Sequence, residues 1–110
     1  MANTFKNAAL TDVSNSAYDT LYTAPSSTTT VVLGLAIANK TAQAVTVQVQ
    51  FSDSSAGTAH QLLDEVAIPS QTTLETLSGQ KYILETGDAL KVQSGTASAL
   101  DVVLGVMEIT

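Results

Sequence analysis

The sequence contains no cysteine, no tryptophan and no arginine, and it has one histidine and two prolines in 110 residues. Without cysteine there is no disulfide, no thiolate metal site and no cysteine nucleophile. Four lysines stand against ten acids, a net charge of −6. That balance argues against nucleic acid, where Lys and Arg must neutralise phosphates. It argues equally against an anionic membrane surface. Charged residues make up only 13% of the chain, about half the usual quarter of a soluble domain. Apolar runs stay short of the ~18 residues that a membrane helix needs. The start, MANTFKNAAL, has no apolar stretch behind a basic one, so no secretory signal is expected and synthesis in a cytoplasm is.

What is present is aliphatic and β-branched. Hydrophobic residues make up 45% of the sequence, enough for a core in a single domain of this length. Along residues 45–52, Val45, Val47, Val49 and Phe51 alternate with Thr46, Gln48, Gln50 and Ser52. A period of two is the mark of a strand with one dry and one wet face. Before it, Val31–Ala38 is apolar on both faces, with Leu33, Leu35 and Ile37 opposing Val32, Gly34, Ala36 and Ala38. Asn39-Lys40-Thr41 breaks the two arms, as turn residues do.

The remainder reads as further short strands between turn signals. Ala17–Thr23 ends at Pro25, and Asp53-Ser54-Ser55-Ala56-Gly57 is a reversal. Residues 60–68 (HQLLDEVAI) fit a helical face through Leu62, Leu63, Val66 and Ala67. They fit equally a strand with His60, Leu62, Asp64, Val66 and Ile68 on one side, and the flanking turns favour the strand. Thr72–Leu77, Lys81–Glu85 and Ala89–Ser94 follow, with turns at Ser78-Gly79 and Gly87-Asp88. The last strand, Leu100–Ile109, is again apolar on both faces. The pattern predicts about eight strands in a single-domain, all-β, antiparallel sandwich, either jelly-roll or immunoglobulin-like. Residues 1–16 are expected as an extended N-terminal arm, and residues 17–110 as the sandwich domain.

In a two-layer sandwich one face of each strand meets water. A doubly apolar strand therefore needs a second cover, either the arm or a neighbouring subunit. The candidate interface residues are Phe5 and Leu10 from the arm, Val32 and Ala36 from the first such strand, and Val103 and Met107 from the last. The small outer residues Gly34, Ala36, Ala38 and Gly105 permit close approach. If Val32 and Ala36 face a partner, an Asp at either position abolishes assembly and leaves the sandwich folded.

No catalytic constellation is legible. His60 lacks the partners of a triad, no G-x-S-x-G elbow occurs, and one histidine without cysteine does not make a zinc site. Asp53–Gly57 lacks the repeated ligands and closing Glu of a calcium loop. Asp64 and Glu65 are adjacent, so on a strand they point to opposite faces. The five aromatics, Phe5, Tyr18, Tyr22, Phe51 and Tyr82, are too dispersed for a stacking platform. No enzyme activity, cofactor or metal is expected.

The segments MANTFKNAALTD, LYTAPSSTTTVVLGLAIANKT, VTVQVQFSDSSAG, IPSQTTLETLSGQKYILETGDALKVQS and LDVVLGVMEI cover nearly the whole chain. Together they resemble a family of small virion structural proteins of tailed bacteriophages, common in phages of cyanobacteria and other aquatic bacteria. The resemblance implies a small β-sandwich in or on the virion. Its expected role is a capsid decoration or cement protein, a homotrimer on the capsid exterior that binds the major capsid protein at capsomer joints. The alternatives are a neck or tail component, with or without a receptor-facing surface, and a ligand-binding β-sandwich module. The family carries no catalytic residues. An acidic, arginine-free surface suits the outside of a shell better than its DNA-facing lumen.

Overall fold

The computed structural model of the chain describes residues 3–76 and 82–110. Among them are nine strands and no helix: β1 (Asn3–Leu10), β2 (Asp19–Thr23), β3 (Thr29–Asn39), β4 (Val45–Asp53), β5 (Thr58–Ile68), β6 (Thr73–Glu75), β7 (Tyr82–Leu84), β8 (Ala89–Ser94) and β9 (Leu100–Ile109). The expected turn at Ser78-Gly79, and the ends of its flanking strands at Leu77 and Lys81, lie outside the described residues. No helix long and apolar enough to cross a membrane is present among the described residues.

The strands form two antiparallel sheets. One runs β1-β9-β3-β6, with β7 also on β3, and the other runs β2-β8-β4-β5. β6 pairs with Ala36–Ala38 and β7 with Thr30–Val32, both on the edge of β3 away from β9. They act as one interrupted edge strand. Counted so, the pairing is nested: first with last (β1·β9), second with second-last (β2·β8), then β3 with β6 and β7, then β4·β5. That nesting is the jelly roll, and it decides against the immunoglobulin-like order.

Residues 3–10 of the expected arm are extended and run along β9, from Asn3 opposite Ile109 to Leu10 opposite Val102. Beyond them Val13 is fully buried, and its N–H donates to the Leu100 carbonyl at 3.2 Å. Residues 60–68 lie within strand β5, as the flanking turns favour. The core fills the space between the sheets with Val32, Leu35 and Ile37 of β3, Val45, Val47 and Val49 of β4, Leu90 and Val92 of β8, and Val102, Leu104 and Val106 of β9. The alternation read along residues 45–52 holds through Gln50: the valines are buried, while Thr46, Gln48 and Gln50 face outward.

β3 departs from simple alternation. Its pairing with β9 shifts between Val32 and Gly34, a β-bulge at Leu33. One extra residue reverses every side chain on one side of it relative to the other. Val32 therefore points into the core with 0% exposure, and Leu33 turns outward at 40%. The assignment of Val32 to a partner-facing surface is corrected: it belongs to the face of Leu35 and Ile37. β5 shifts in the same way. Ile68, Val66 and Leu63 stand opposite Val45, Val47 and Val49, with Asp64 and Glu65 in the irregularity between Val66 and Leu63 and Glu65 at φ 52°.

Two polar pins hold the loops. Asn39, buried at the end of β3, donates from Nδ2 to the carbonyls of Gln43 (2.8 Å) and Ile68 (3.0 Å). Its Oδ1 accepts from the Thr41 N–H at 2.9 Å. Asp88, also buried, accepts from the N–H groups of Ser54 and Glu85, both at 3.0 Å. Beside it Gly87 sits at φ 87°, where an added Cβ would lie 2.6 Å from Ser54 Oγ.

The bulge makes a testable distinction. Val32→Asp buries an unpaired carboxylate, at a cost of about 3–5 kcal/mol, a large part of a small domain's stability. Ala36→Asp, on the outer side, leaves the fold intact. Urea melts followed by circular dichroism separate the two; equal stability for both variants would refute the bulge.

Candidate interaction surface

The outer face of the β1-β9-β3 sheet is built by the strand register. Phe5, Met107, Val31 and Ile83 are successive partners across four strands and form one apolar row. Asn7, Gly105 and Gly34 form the next, and Ala9, Val103, Ala36 and Glu75 the one after. Among the described residues, the large hydrophobic side chains that stand exposed are Phe5 (72%), Val103 (54%), Ile83 (52%) and Leu33 (40%), and all four lie on this face. Neither β1 nor any other described element covers it, because β1 extends the sheet at its edge.

The opposite outer face, on β4, β5 and β8, is polar. Thr46, Gln48, Gln50, Gln61, Lys91 and Gln93 project there. Its amides are engaged with one another's surroundings. Gln48 donates to Asp64 at 3.2 Å, Gln93 donates to the Asn15 carbonyl at 3.1 Å, and the Tyr18 hydroxyl lies 3.3 Å from both Gln48 and Gln61. The molecule thus has one dry face and one wet face.

Four of the sequence-expected interface residues, Phe5, Ala36, Val103 and Met107, come together on the dry face. Leu10 does not: it is half-buried and packs against the core. Val32 is in the core. Leu33 and Ile83 were missed. Ile83 is legible in hindsight, since Tyr82 and Leu84 flank it with the opposite orientation; Leu33 is not, since its direction depends on the bulge.

A polar network pins the dry sheet's edge strand to the core. Glu108, on the inner side of β9, accepts from the Tyr22 hydroxyl at 2.5 Å and pairs with Lys6 Nζ of β1 at 2.9 Å. The Tyr22 hydroxyl also lies 2.9 Å from Thr30 Oγ1. The Tyr22 bond, and after it the Lys6 contact, hold the Glu108 carboxyl below its ordinary range. Burial, and then the bond to Glu108, push the Tyr22 hydroxyl up to about 12. At the margin of the face Lys40 bridges Asp12 (2.7 Å) and Asp101 (3.1 Å), and Thr11 donates to Asp101 at 2.6 Å. The Thr11 bond, then Lys40, lower the Asp101 carboxyl.

His60 is exposed beside Thr58, and no group of three metal-ligating side chains gathers among the described residues. The space between the sheets near Leu35, Val49, Leu62, Leu63, Thr76 and Tyr82 amounts to ≈ 20 Å³, room for about one water. A shallow polar groove of ≈ 190 Å³ lies between Gln48, Glu65 and Gln93.

No protein-family model matches the chain, and no curated protein matches it. Among solved structures the chain is similar to the subunit of Bacillus endospore appendages, described as a novel family of disulfide-linked pili. The TM-score is 0.56 at 12% identity, over 98% of this chain and 88% of that one. It is similar to the TNF Eiger of S. frugiperda at TM-score 0.50 and 10% identity, over 96% and 93% of the two chains. The capsid of cyanophage Pam1 gives 0.42 at 15% identity, over 97% and 82%. At these identities the first two likenesses are of fold, and the third is too slight to add to them.

The network's pH dependence follows from the two shifts. Glu108 is held low in the folded chain, so its contribution is full above the ordinary Glu value of about 4.3 and is lost as pH falls through the folded value. Tyr22 is held high, so its contribution is full below about 10 and is lost as pH rises toward 12. Tyr22→Phe removes the main cause of the Glu108 shift. Carbon-detected carboxyl titration should show the Glu108 midpoint moving upward in that variant; an unmoved midpoint would rule out the Tyr22 bond as its cause.

Proposed function

We propose that the chain is a non-enzymatic virion structural protein: a capsid decoration or cement subunit, self-associating as a homotrimer, that sits on the capsid exterior and binds the major capsid protein at capsomer joints. The observation that carries this reading is the division between one uncovered apolar face and one polar face. A subunit that coats a shell needs one side to bind and another to meet water, and a contiguous exposed apolar face is a mark of an interaction surface. The resemblance of the sequence to small tailed-phage virion proteins supports the choice of a virion. The net charge of −6 supports the exterior over a DNA-lined interior.

A chain without cysteine cannot be linked through disulfides as the endospore pili are described to be. Its contacts would be non-covalent and would rest on apolar area. The neck or tail reading uses the same two-sided geometry and differs in the number of copies. A ligand-binding module finds less support, since the described aromatics are spread over both sheets and the core. Phe5 is on the dry face, Tyr18 is near the polar face, and Phe51 and Tyr82 pack on the core.

Quantitative mass spectrometry of purified virions tests the reading. A copy number matching the capsomer joints is expected. A few copies per virion would transfer the protein to the neck or tail, and its absence from virions would overturn the virion reading altogether.

A further inference from the structure

Gly34 and Gly105 are strand partners at the centre of the dry face. A Cβ built on either would meet nothing within 4 Å, and neither has a positive φ. Glycine weakens a strand, and it is kept where a turn, a bulge or the close approach of another backbone demands it. The neighbouring bulge explains the conformation of Leu33, yet Gly105 is on the regular strand opposite. Nothing described inside the chain requires Gly105 to lack a side chain. The pair leaves a hollow in a face that otherwise projects Phe5, Leu33, Ile83 and Val103.

We infer that this face is covered by a second copy of this chain, with the Gly34–Gly105 hollow receiving a projecting apolar side chain of that copy. The inference rests on the proposed self-association and departs from its trimer, because a face that meets its own counterpart makes a two-fold pair. Three observations favour a second copy as the occupant. The face carries both projections and a hollow, which is what a self-complementary surface requires. Each copy carries a charge of −6, so like chains repel unless they meet on uncharged ground. The rows from Phe5 to Ile83 and from Asn7 to Gly34 contain no charge; Glu75 stands at the margin, and Asp101 is already paired with Lys40. Finally, β1, β9 and β3, of eight to eleven residues, with the three-residue β6 and β7 beside them, present roughly 500 Å² at about 4.8 Å between strands and about 3.3 Å per residue. Two such faces bury roughly 1,000 Å², the lower bound of a specific interface.

Sedimentation velocity over a concentration series tests this, on the wild type, Gly105→Val, Gly105→Ala and Val103→Asp. The wild type is expected to sediment as a dimer or another even multiple of the chain mass. Gly105→Val fills the hollow while its added atoms meet open space in the single chain. It should keep the wild-type circular dichroism and melting temperature yet weaken association by roughly tenfold or more. Val103→Asp should do the same by placing charge on the face. If Gly105→Val loses its fold, the smaller Gly105→Ala carries the comparison. A wild type that stays monomeric throughout overturns the inference, as does an oligomer that survives both Gly105 and Val103 changes. Either result leaves binding to a shell standing, since the shell itself could cover the face, although a monomer removes the trimer from that reading; the virion reading fails separately, by absence of the protein from virions.

Discussion

The antiparallel ladder between β3 and β9 is the constraint from which the rest of the molecule follows. It runs from Thr29 opposite Ile109 to Asn39 opposite Leu100 and places two doubly apolar strands side by side at the centre of one sheet. Their inner side chains, Val32, Leu35, Ile37, Val102, Leu104 and Val106, form one wall of the core. Because side chains alternate along a strand, fixing that wall also fixes what stands on the other side. The exposed apolar face is therefore no accident of a loose surface. It is the reverse of the core, and it cannot slide out of register without exposing the core in its place.

Polar residues secure both ends of that ladder. At one end Asn39 ties the turn after β3 to the carbonyls that close β5. At the other, Thr30 and Glu108 meet Tyr22 from the opposite sheet and Lys6 from the edge strand. Such groups are costly to bury alone and are tolerated when every partner is in place. Among the described residues no buried side-chain nitrogen or oxygen lacks a partner. The Glu108 network also bears on the dry face: it anchors β1, and β1 carries Phe5. A change in the interior at Tyr22 therefore reaches the surface through one edge strand.

Much of this was legible along the chain, because alternation is local information. The valines of β4, the two doubly apolar strands and the turns at Asp53–Gly57 and Gly87-Asp88 all show in residues adjacent in sequence. What was hidden depends on partners far away. The bulge at Leu33 arises where β3 meets β9, about seventy positions later, and nothing in TTTVVLGLAIAN marks which residue is extra. Hence Val32 stands on the core side and not on the outer side expected, while Ala36, beyond the bulge, stands on the outer side opposite Val103. The shift in β5 misled in the same way about Asp64. The choice of jelly roll over immunoglobulin-like order is likewise a matter of which strands pair, and alternation carries no record of it. The Asp88 staple was visible as a turn and not as a buried acceptor, since its donors at Ser54 and Glu85 come from separate loops.

A jelly roll hosts many unrelated activities, so the fold alone does not choose among them; the surfaces do. This chain has invested little in charge, aromatic rings or reactive groups. It has instead placed its exposed hydrophobic side chains on one sheet and its amides on the other. A subunit that holds itself to a larger surface needs breadth, a flat register and freedom from like-charge repulsion. Those are the properties that the β3·β9 ladder confers. With no cysteine to lock a contact covalently, breadth is also what any lasting association of this chain must draw on.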